Sequence, residues 1–424
     1  MRVLVITRAP WRDDNNTGNT MTNFFGSMLD CEFYNLYFRD QKPLNDIARE
    51  AFSISESELA KNLFSKKEVG KIVINDSQTS QLEEKLYSNA KKHSNAFLMF
   101  AREVVWSICN WKSKNLNVFL NRIKPDIVFM PVFNCFYPHK VLKYVKKQTN
   151  AKVILFHADD NYTLKQFSFS PVYWIYRFIL RKWVRHSVKL SDINYTISNL
   201  QKEEYEKAFR KEFKVLTKSV IFPETPDIKK EYNKVFQLVF TGNINVNRWK
   251  SLANIANVLE KINADRVKAQ LRIYTGSSIT EKMNAALNRG SSSFIMGSVS
   301  ADKVKEIQKA ADILVHVEAF DLKSRLTVRQ SFSTKIVDYL AAARPILAFG
   351  PKDVASVDHF VKNDCAIVAD NEDDLYDKLC AVISDNNKLN ELSKKAFECG
   401  KKFHNKDDIE NMLRKDFEEL IRGV

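Results

Sequence analysis

The stretch from Asp312 to Pro351 reads as strand, basic loop, helix and strand in succession, and few folds accept that order. Ile313 to Val317 is a short apolar run, as expected of a strand buried on both faces. The polar loop after it carries Lys323, Arg325 and Arg329. Ser333 and Thr334 stand where a helix would begin, and Ile336, Val337 and Leu340 give that helix an apolar face. Arg344-Pro345 closes it, and Ile346 to Phe349 is the next buried strand before Gly350. Such a unit belongs in an open α/β sheet, where ligands bind outside the carboxyl ends of the strands. The helix start would lie there, with backbone N–H groups, two hydroxyls and the Lys335 ammonium converging on a site suited to a phosphate or diphosphate. The competing reading makes Ser333 a plain N-cap and Lys335 a solvated first-turn lysine. Against it, a cation at the positive end of a helix dipole costs about 0.3–1 kcal/mol, a conflict that a bound anion removes.

The chain is 424 residues long, which predicts two domains rather than one. With 45% hydrophobic residues, each half can build a core, and only 10 Gly and 10 Pro argue against long disordered tracts. The six cysteines show neither CxxC nor Cys/His spacing, so they are expected to be buried thiols in a reducing compartment, and no metal site is expected. No apolar run reaches the ~18 residues needed to span a bilayer, and the opening Val3–Ile6 run is too short for a signal peptide. A cytoplasmic protein is the expectation. The formal net charge is +15, and nearly all of the excess lies in residues 1–223, which predicts an anionic partner for the first half.

Taken in order, Val3 to Thr7 and Cys31 to Phe38 read as the first two strands. Between them a polar loop, Arg8 to Thr20, leads into a helix over Met21 to Leu29. Residues 45–95 read as a solvated helical elaboration and Phe97 to Ile123 as a helix. Strands follow at Ile127–Val132 and Val153–Phe156, the latter opening into His157-Ala-Asp159. Residues 161–191 contain no Asp or Glu. There Arg177, Arg181, Arg185 and Lys189 recur every fourth residue, forming one basic stripe on a helix whose other faces are apolar. Packing on its own domain is one outcome. The sharper expectation is an anionic membrane surface, met by Arg177, Arg181 and Arg185 with Trp174 and Trp183 at the interface. Phe222 to Asp227, with two prolines, reads as the interdomain linker. The strand pattern then restarts at Phe236–Phe240 and runs into Gly242, Arg248 and Lys250.

Residues 331–348, SFSTKIVDYLAAARPILA, resemble the donor-site helix of GT-B glycosyltransferases, and within them the large retaining group called glycosyl transferases group 1. The resemblance implies an α/β fold of GT-B type: two Rossmann-like doubly wound domains facing a central cleft. It assigns residues 1–222 to an acceptor-binding domain, 223–405 to a nucleotide-sugar domain, and 406–424 to a helix returning to the first. It implies transfer of a sugar from a nucleotide diphosphate donor to a glycan or lipid-diphosphate-linked acceptor, as in capsule or O-antigen assembly at the inner face of the membrane. No cofactor or metal is expected, the cations serving instead. Gly242, Arg248, Lys250, Arg329, Ser333, Thr334 and Lys335 would hold the diphosphate, and Asp338 the ribose. His157, in an H-x-D element with Asp159, would orient the sugar, and Glu318 after its strand is a candidate sugar ligand. Gly18 and Thr20 fall in the loop that resembles the opening of a GT-B acceptor domain. Three departures stand out: Asp338 and Gln330 replace the paired glutamates common in the family, and Ala343 replaces its glycine. The alternatives are a nucleotide-sugar 2-epimerase of the same fold and a basic nucleic-acid-binding protein. No helix-turn-helix, zinc, RNA-recognition or KH pattern supports the second.

Overall fold

A computed structural model describes residues 1–65, 68–73 and 96–423. The chain forms two compact units: the first takes residues 1–164, 168–216 and 409–424, the second residues 165–167 and 217–408. The proline-bearing segment Phe222–Asp227 therefore lies within the second unit. Phe222 is buried there, its ring 5.5 Å from that of Phe397 and closely packed on Gly400.

The first unit is built on an eight-stranded sheet. In chain order its strands are β1 (Arg2–Thr7), β2 (Glu32–Tyr37), β3 (Ala48–Ser53), β4 (Lys71–Val73), β5 (Ile127–Pro131), β6 (Lys152–His157), β7 (Ile193–Thr196) and β8 (Lys214–Val215). They lie in the order β4-β3-β2-β1-β5-β6-β7-β8, all parallel except β4. Val3 to Ile6 and Ile127 to Met130 are fully buried because helices cover both sheet faces. The second unit has β9 (Phe236–Thr241), β10 (Ala269–Tyr274), β11 (Ser293–Gly297), β12 (Ile313–Val317), β13 (Ile346–Phe349) and β14 (Ile367–Ala369). Their order, β11-β10-β9-β12-β13-β14, is all parallel and reverses direction between β9 and β12. That pair stops bonding after Val239 and Leu314, so the carboxyl ends of β9 and β12 part, as at a ligand-binding switch point.

Several expectations change. The first helix runs Asn16–Phe25, not from Met21, because Asn15 caps it through the Gly18 N–H at 2.8 Å. Gly18 is buried there, and a Cβ would meet the Arg12 carbonyl oxygen at 2.0 Å, so glycine is a packing requirement. Thr20 Oγ1 bonds back to the Asn16 carbonyl at 2.8 Å. Within 45–95, β3 and β4 flank a helix at Glu56–Ser65; residues 66–67 and 74–95 lie outside the described residues. The strand at 48–53 escaped notice because Arg49 and Glu50 look like helix-surface residues, whereas they pair with Glu32 and Arg122. Phe97–Ile123 is two helices, Ala96–Ile108 and Lys114–Ile123, the second capped by Ser113. The basic loop after β12 contains a helical stretch, Leu322–Val328, capped by Asp321.

The largest correction concerns helix Pro171–Leu190, which Ser170 caps. Its basic stripe turns from buried at Arg177 through half-buried at Arg181 to exposed at Arg185 and Lys189. Arg177 is buried and pairs with the buried Asp160 carboxylate at 2.9 Å. The Arg181 guanidinium lies 4.2 Å from the Tyr162 ring centroid and donates to the Tyr162 carbonyl, while Arg185 donates to the Tyr162 hydroxyl. The three arginines clasp residues 160–163, so Arg177 has a structural partner and is not open to a lipid surface. Trp174 donates to the Ser168 carbonyl at 2.9 Å, and Trp183 is half-buried. Exposed residues on this helix include Val172, Ile175 and Phe178, followed by Lys182, Arg185 and Lys189. No helix of the described residues is long and apolar enough to cross a membrane.

Candidate functional site

At the parted carboxyl ends of β9 and β12 the second unit collects Gly242, Arg248, Glu318 and Lys335. Thr241 ends β9, and the Tyr339 hydroxyl takes the place of a neighbouring strand there, accepting from the Thr241 N–H at 3.0 Å. Gly242 follows at φ +136, a conformation open to glycine and hostile to side chains. The turn ends in Val246 and Asn247, both left-handed, with φ +56 and +58. A β-branched residue in that region is strained, and such strain persists only where surroundings enforce it. Here Asn247 supplies the enforcement, its amide donating to Asp321 at 3.0 Å and Ser324 at 3.1 Å.

Arg248 opens helix Arg248–Ile262 and grips Glu318 with two hydrogen bonds, 2.9 Å from Nε and 3.0 Å from Nη2. Glu318 is nearly fully buried just beyond β12 and is held further by Ser356 Oγ at 3.3 Å. Ser251 Oγ donates to the Glu318 carbonyl at 2.7 Å. The approach of Gly350 to Glu318 is so close that a Cβ would sit 3.0 Å from the Glu318 Cβ. The Glu318 carboxylate, expected as a sugar ligand, is thus taken up by Arg248 and Ser356 in this conformation. The buried His316 lies beside it, 3.1 Å from Ser356 Oγ, and its pKa falls well below the ordinary value, through burial first and then the charges of Lys335 and Arg248.

Lys335 begins helix Lys335–Ala341. Its ammonium sits 3.9 Å from the Phe240 ring centroid, a cation–π contact, and no carboxylate pairs with it among the described residues. Burial pushes its pKa down to about 7; the Arg248 charge acts in the same direction and Glu318 opposes it. A Cβ at Gly242 would lie 3.2 Å from Lys335 Nζ. The helix is only 7 residues long and no side chain caps it, so Ser333 is not its N-cap. The local anion attraction therefore rests on the Lys335 ammonium and Arg248 more than on a helix dipole. Ser333 is half-buried and Thr334 exposed, flanking Lys335.

Other expected residues fall elsewhere. Lys250 is exposed, 5.9 Å from the Trp249 ring. Arg329 is buried at the end of helix Leu322–Val328, where its carbonyl accepts from Ala355. Asp338 is engaged by Lys218, 3.0 Å to each carboxylate oxygen, so a ribose would have to displace that ammonium. His157 belongs to the first unit and has no exposed surface; its ring packs against Tyr205 at 5.1 Å and Phe213 at 5.6 Å. Burial, and then the nearby His139, push its pKa to about 3, opposed by the Asn194 side chain. In this conformation it touches no solvent. Asp159 beside it is exposed, and its carbonyl accepts from Gln201 at 3.0 Å. Sequence reasoning missed Ser251, Ser356, Asn247 and Tyr339. Only Tyr339 carried a signal, as the buried-face residue of a recognised helix. Among the described residues no group of three or more His, Cys, Asp or Glu is placed to hold a metal ion.

Residues 235–385 match the family model for glycosyl transferases group 1. No curated protein sequence matches the chain. Among solved structures, sucrose-phosphate synthase from Thermosynechococcus elongatus is similar with a TM-score of 0.64 at 10% identity, covering 100% of both chains. HepE of Anabaena in complex with UDP gives 0.65 at 9% identity over 99% of this chain and 100% of that one. TarM gives 0.64 at 11% identity over 98% of each. At such identities the likeness is one of fold, and the fold is GT-B. The site described above lies wholly within the matched residues.

Proposed function

We propose that this chain, a GT-B glycosyltransferase whose second unit carries the group 1 match, uses Gly242, Arg248 and Lys335 to hold the diphosphate of a nucleotide-sugar donor. The observation that carries the assignment is an ammonium with no carboxylate partner, held beside a glycine at φ +136 where two parallel strands part. Glycine lets a phosphate approach the backbone, and the two cations take up charge as the nucleotide leaves. Ser333 and Thr334 add hydroxyl donors beside Lys335, and Asp338 receives the ribose on exchange with Lys218. No metal is invoked, because Lys335 and Arg248 supply the positive charge. HepE was solved with UDP, which supports a uridine or similar diphosphate. The acceptor is a glycan or a lipid-diphosphate-linked glycan of surface-polysaccharide type, reached at the inner face of the membrane. The basic excess of residues 1–223 supports an anionic acceptor carrier.

The test is a thermal-shift screen of nucleotide sugars, followed by measurement of free nucleoside diphosphate with and without glycan acceptors. Stabilisation by one nucleotide sugar, with acceptor-dependent release that Lys335→Gln abolishes, is expected. Nucleotide-sugar turnover without an acceptor would instead indicate an epimerase. If no nucleotide sugar stabilises the protein, the donor assignment is wrong.

A further inference from the structure

The first unit holds a cluster of cations without carboxylate partners among the described residues. A pocket of about 460 Å³ opens between helices Ala96–Ile108, Tyr137–Thr149 and Pro171–Leu190 and the segment at 111–112. Its walls are Trp106, Trp111, Tyr144 and Trp183. Its cations are Lys112, Lys140, Lys143 and Lys147, and no carboxylate lines it. Helix Tyr137–Thr149 starts after β5 and ends before β6, so residues 140–147 run away from the carboxyl edge of their own sheet. The pocket thus belongs to the outer helical layer, not to the sheet edge where α/β folds bind substrates.

None of the four lysines forms an ion pair with a described residue. Lys140 donates to Ser107 Oγ at 2.8 Å, and its ammonium lies 5.9 Å from the Trp183 centroid. Lys112 lies 5.5 Å from the Trp111 centroid and 5.7 Å from that of Tyr144. Glu103, one turn before Ser107, feels the Lys140 charge, but burial pushes its pKa to about 7, so it offsets little of the four. Packing alone does not explain four like charges around one aromatic pocket, since they repel one another. Trp106, fully buried and stacked on Tyr137, forms the innermost part of the aromatic wall. Around the pocket, the lining helices expose Val104 and Ile108 on one side and Ile175 and Phe178 on the other.

We propose that this pocket binds a phosphate ester whose attached group has an apolar face. The ammonium groups take the phosphate, while the indole and phenol rings cover the attached group. The ester is either a soluble molecule or the head group of an anionic lipid, whose first chain segment would lie on the exposed apolar rim. The inference stands apart from the donor-site reading and uses none of its residues.

The experiment exploits the fact that three of the six tryptophans line the pocket, so intrinsic fluorescence reports on it. Phenyl phosphate is titrated as the soluble arm, and vesicles of phosphatidylglycerol are sedimented with the protein as the lipid arm, with phosphatidylcholine as the neutral comparison. The variants are Lys143→Glu with Lys147→Glu, both exposed positions, and separately Trp183→Leu, each checked for an unchanged melting profile. Saturable binding in at least one arm is expected. The charge-reversed pair should weaken it about tenfold or more, as lost charge-assisted contacts do. Lys335→Gln should retain it, separating this pocket from the donor site. Binding in one arm alone upholds the site and identifies the source of the phosphate. If neither arm binds, or the charge-reversed protein and Trp183→Leu both bind like wild type, the proposal is overturned.

Discussion

Lys335 packs tightly over Gly242: a Cβ there would lie 3.2 Å from Nζ and 3.4 Å from Cδ of the lysine. The pairing ties a backbone conformation to the position of a charge. Gly242→Ala must leave φ +136 or strain it, and must also nudge the Lys335 side chain that packs over it. A loss of about 1–3 kcal/mol in stability is expected from the backbone alone. Nucleotide diphosphate affinity should fall as well. Chemical denaturation and a nucleotide titration check both, and an unaltered titration would detach Gly242 from the site.

The depressed pKa of Lys335 makes proton uptake a signature of donor binding. With a folded pKa of about 7 and an ordinary value of 10.5, the folded protein holds fewer protons than the unfolded chain between those pH values. Its stability penalty is thus full below about pH 7 and fades as pH rises toward 10.5. A diphosphate beside the ammonium reverses the shift, so binding at pH 8–9 should take up close to about one proton. Calorimetry in buffers of different ionisation heat measures this. Lys335→Gln should remove the uptake and lower turnover over affinity by about tenfold to a few hundredfold, with little loss of unliganded stability.

Glu318 and Arg248 form a buried pair, with side chains 3% and 15% exposed. Removing the carboxylate leaves a partly buried guanidinium uncompensated, so Glu318→Ala should cost about 3–5 kcal/mol by denaturation. Adding Arg248→Met to that background should recover part of the loss. Additive losses in the double variant would show the two groups to be uncoupled.

Arg177 offers a direct contrast between surface and structural roles. Its pairing with Asp160, at side-chain exposures of 7% and 2%, predicts that Arg177→Gln destabilises the protein by about 3 kcal/mol. Lys182→Gln, on the exposed side of the same helix, should leave stability within about 0.5 kcal/mol. Urea denaturation of the two variants decides the matter.

His157 is predicted to act through acid stability rather than turnover. Its folded pKa of about 3 lies below the ordinary 6.5, so the unfolded state binds the extra proton between those values. The resulting stability is complete above about pH 6.5 and declines as pH falls toward 3. His157→Phe should flatten that part of the stability profile. A variant that keeps the wild-type acid slope but loses turnover would restore the sugar-contacting role.

The sequence alone determined the architecture of the second unit, because parallel strands buried on both faces leave apolar runs that no surface element needs. Ile313–Val317 and Ile346–Phe349 were legible for that reason, and so was the helix carrying Lys335. Ala343 takes a left-handed φ of +51, a conformation that favours glycine. Side-chain direction was not legible. A four-residue spacing puts Arg177, Arg181 and Arg185 on one face, yet whether that face meets solvent or the chain depends on Asp160 and Tyr162, which lie outside the helix. The same holds for Glu318, whose partners Arg248 and Ser356 are 70 and 38 positions away. Periodicity reports which residues share a face; only tertiary packing supplies the groups from other elements that decide whether a charge is buried, paired or left free for a ligand.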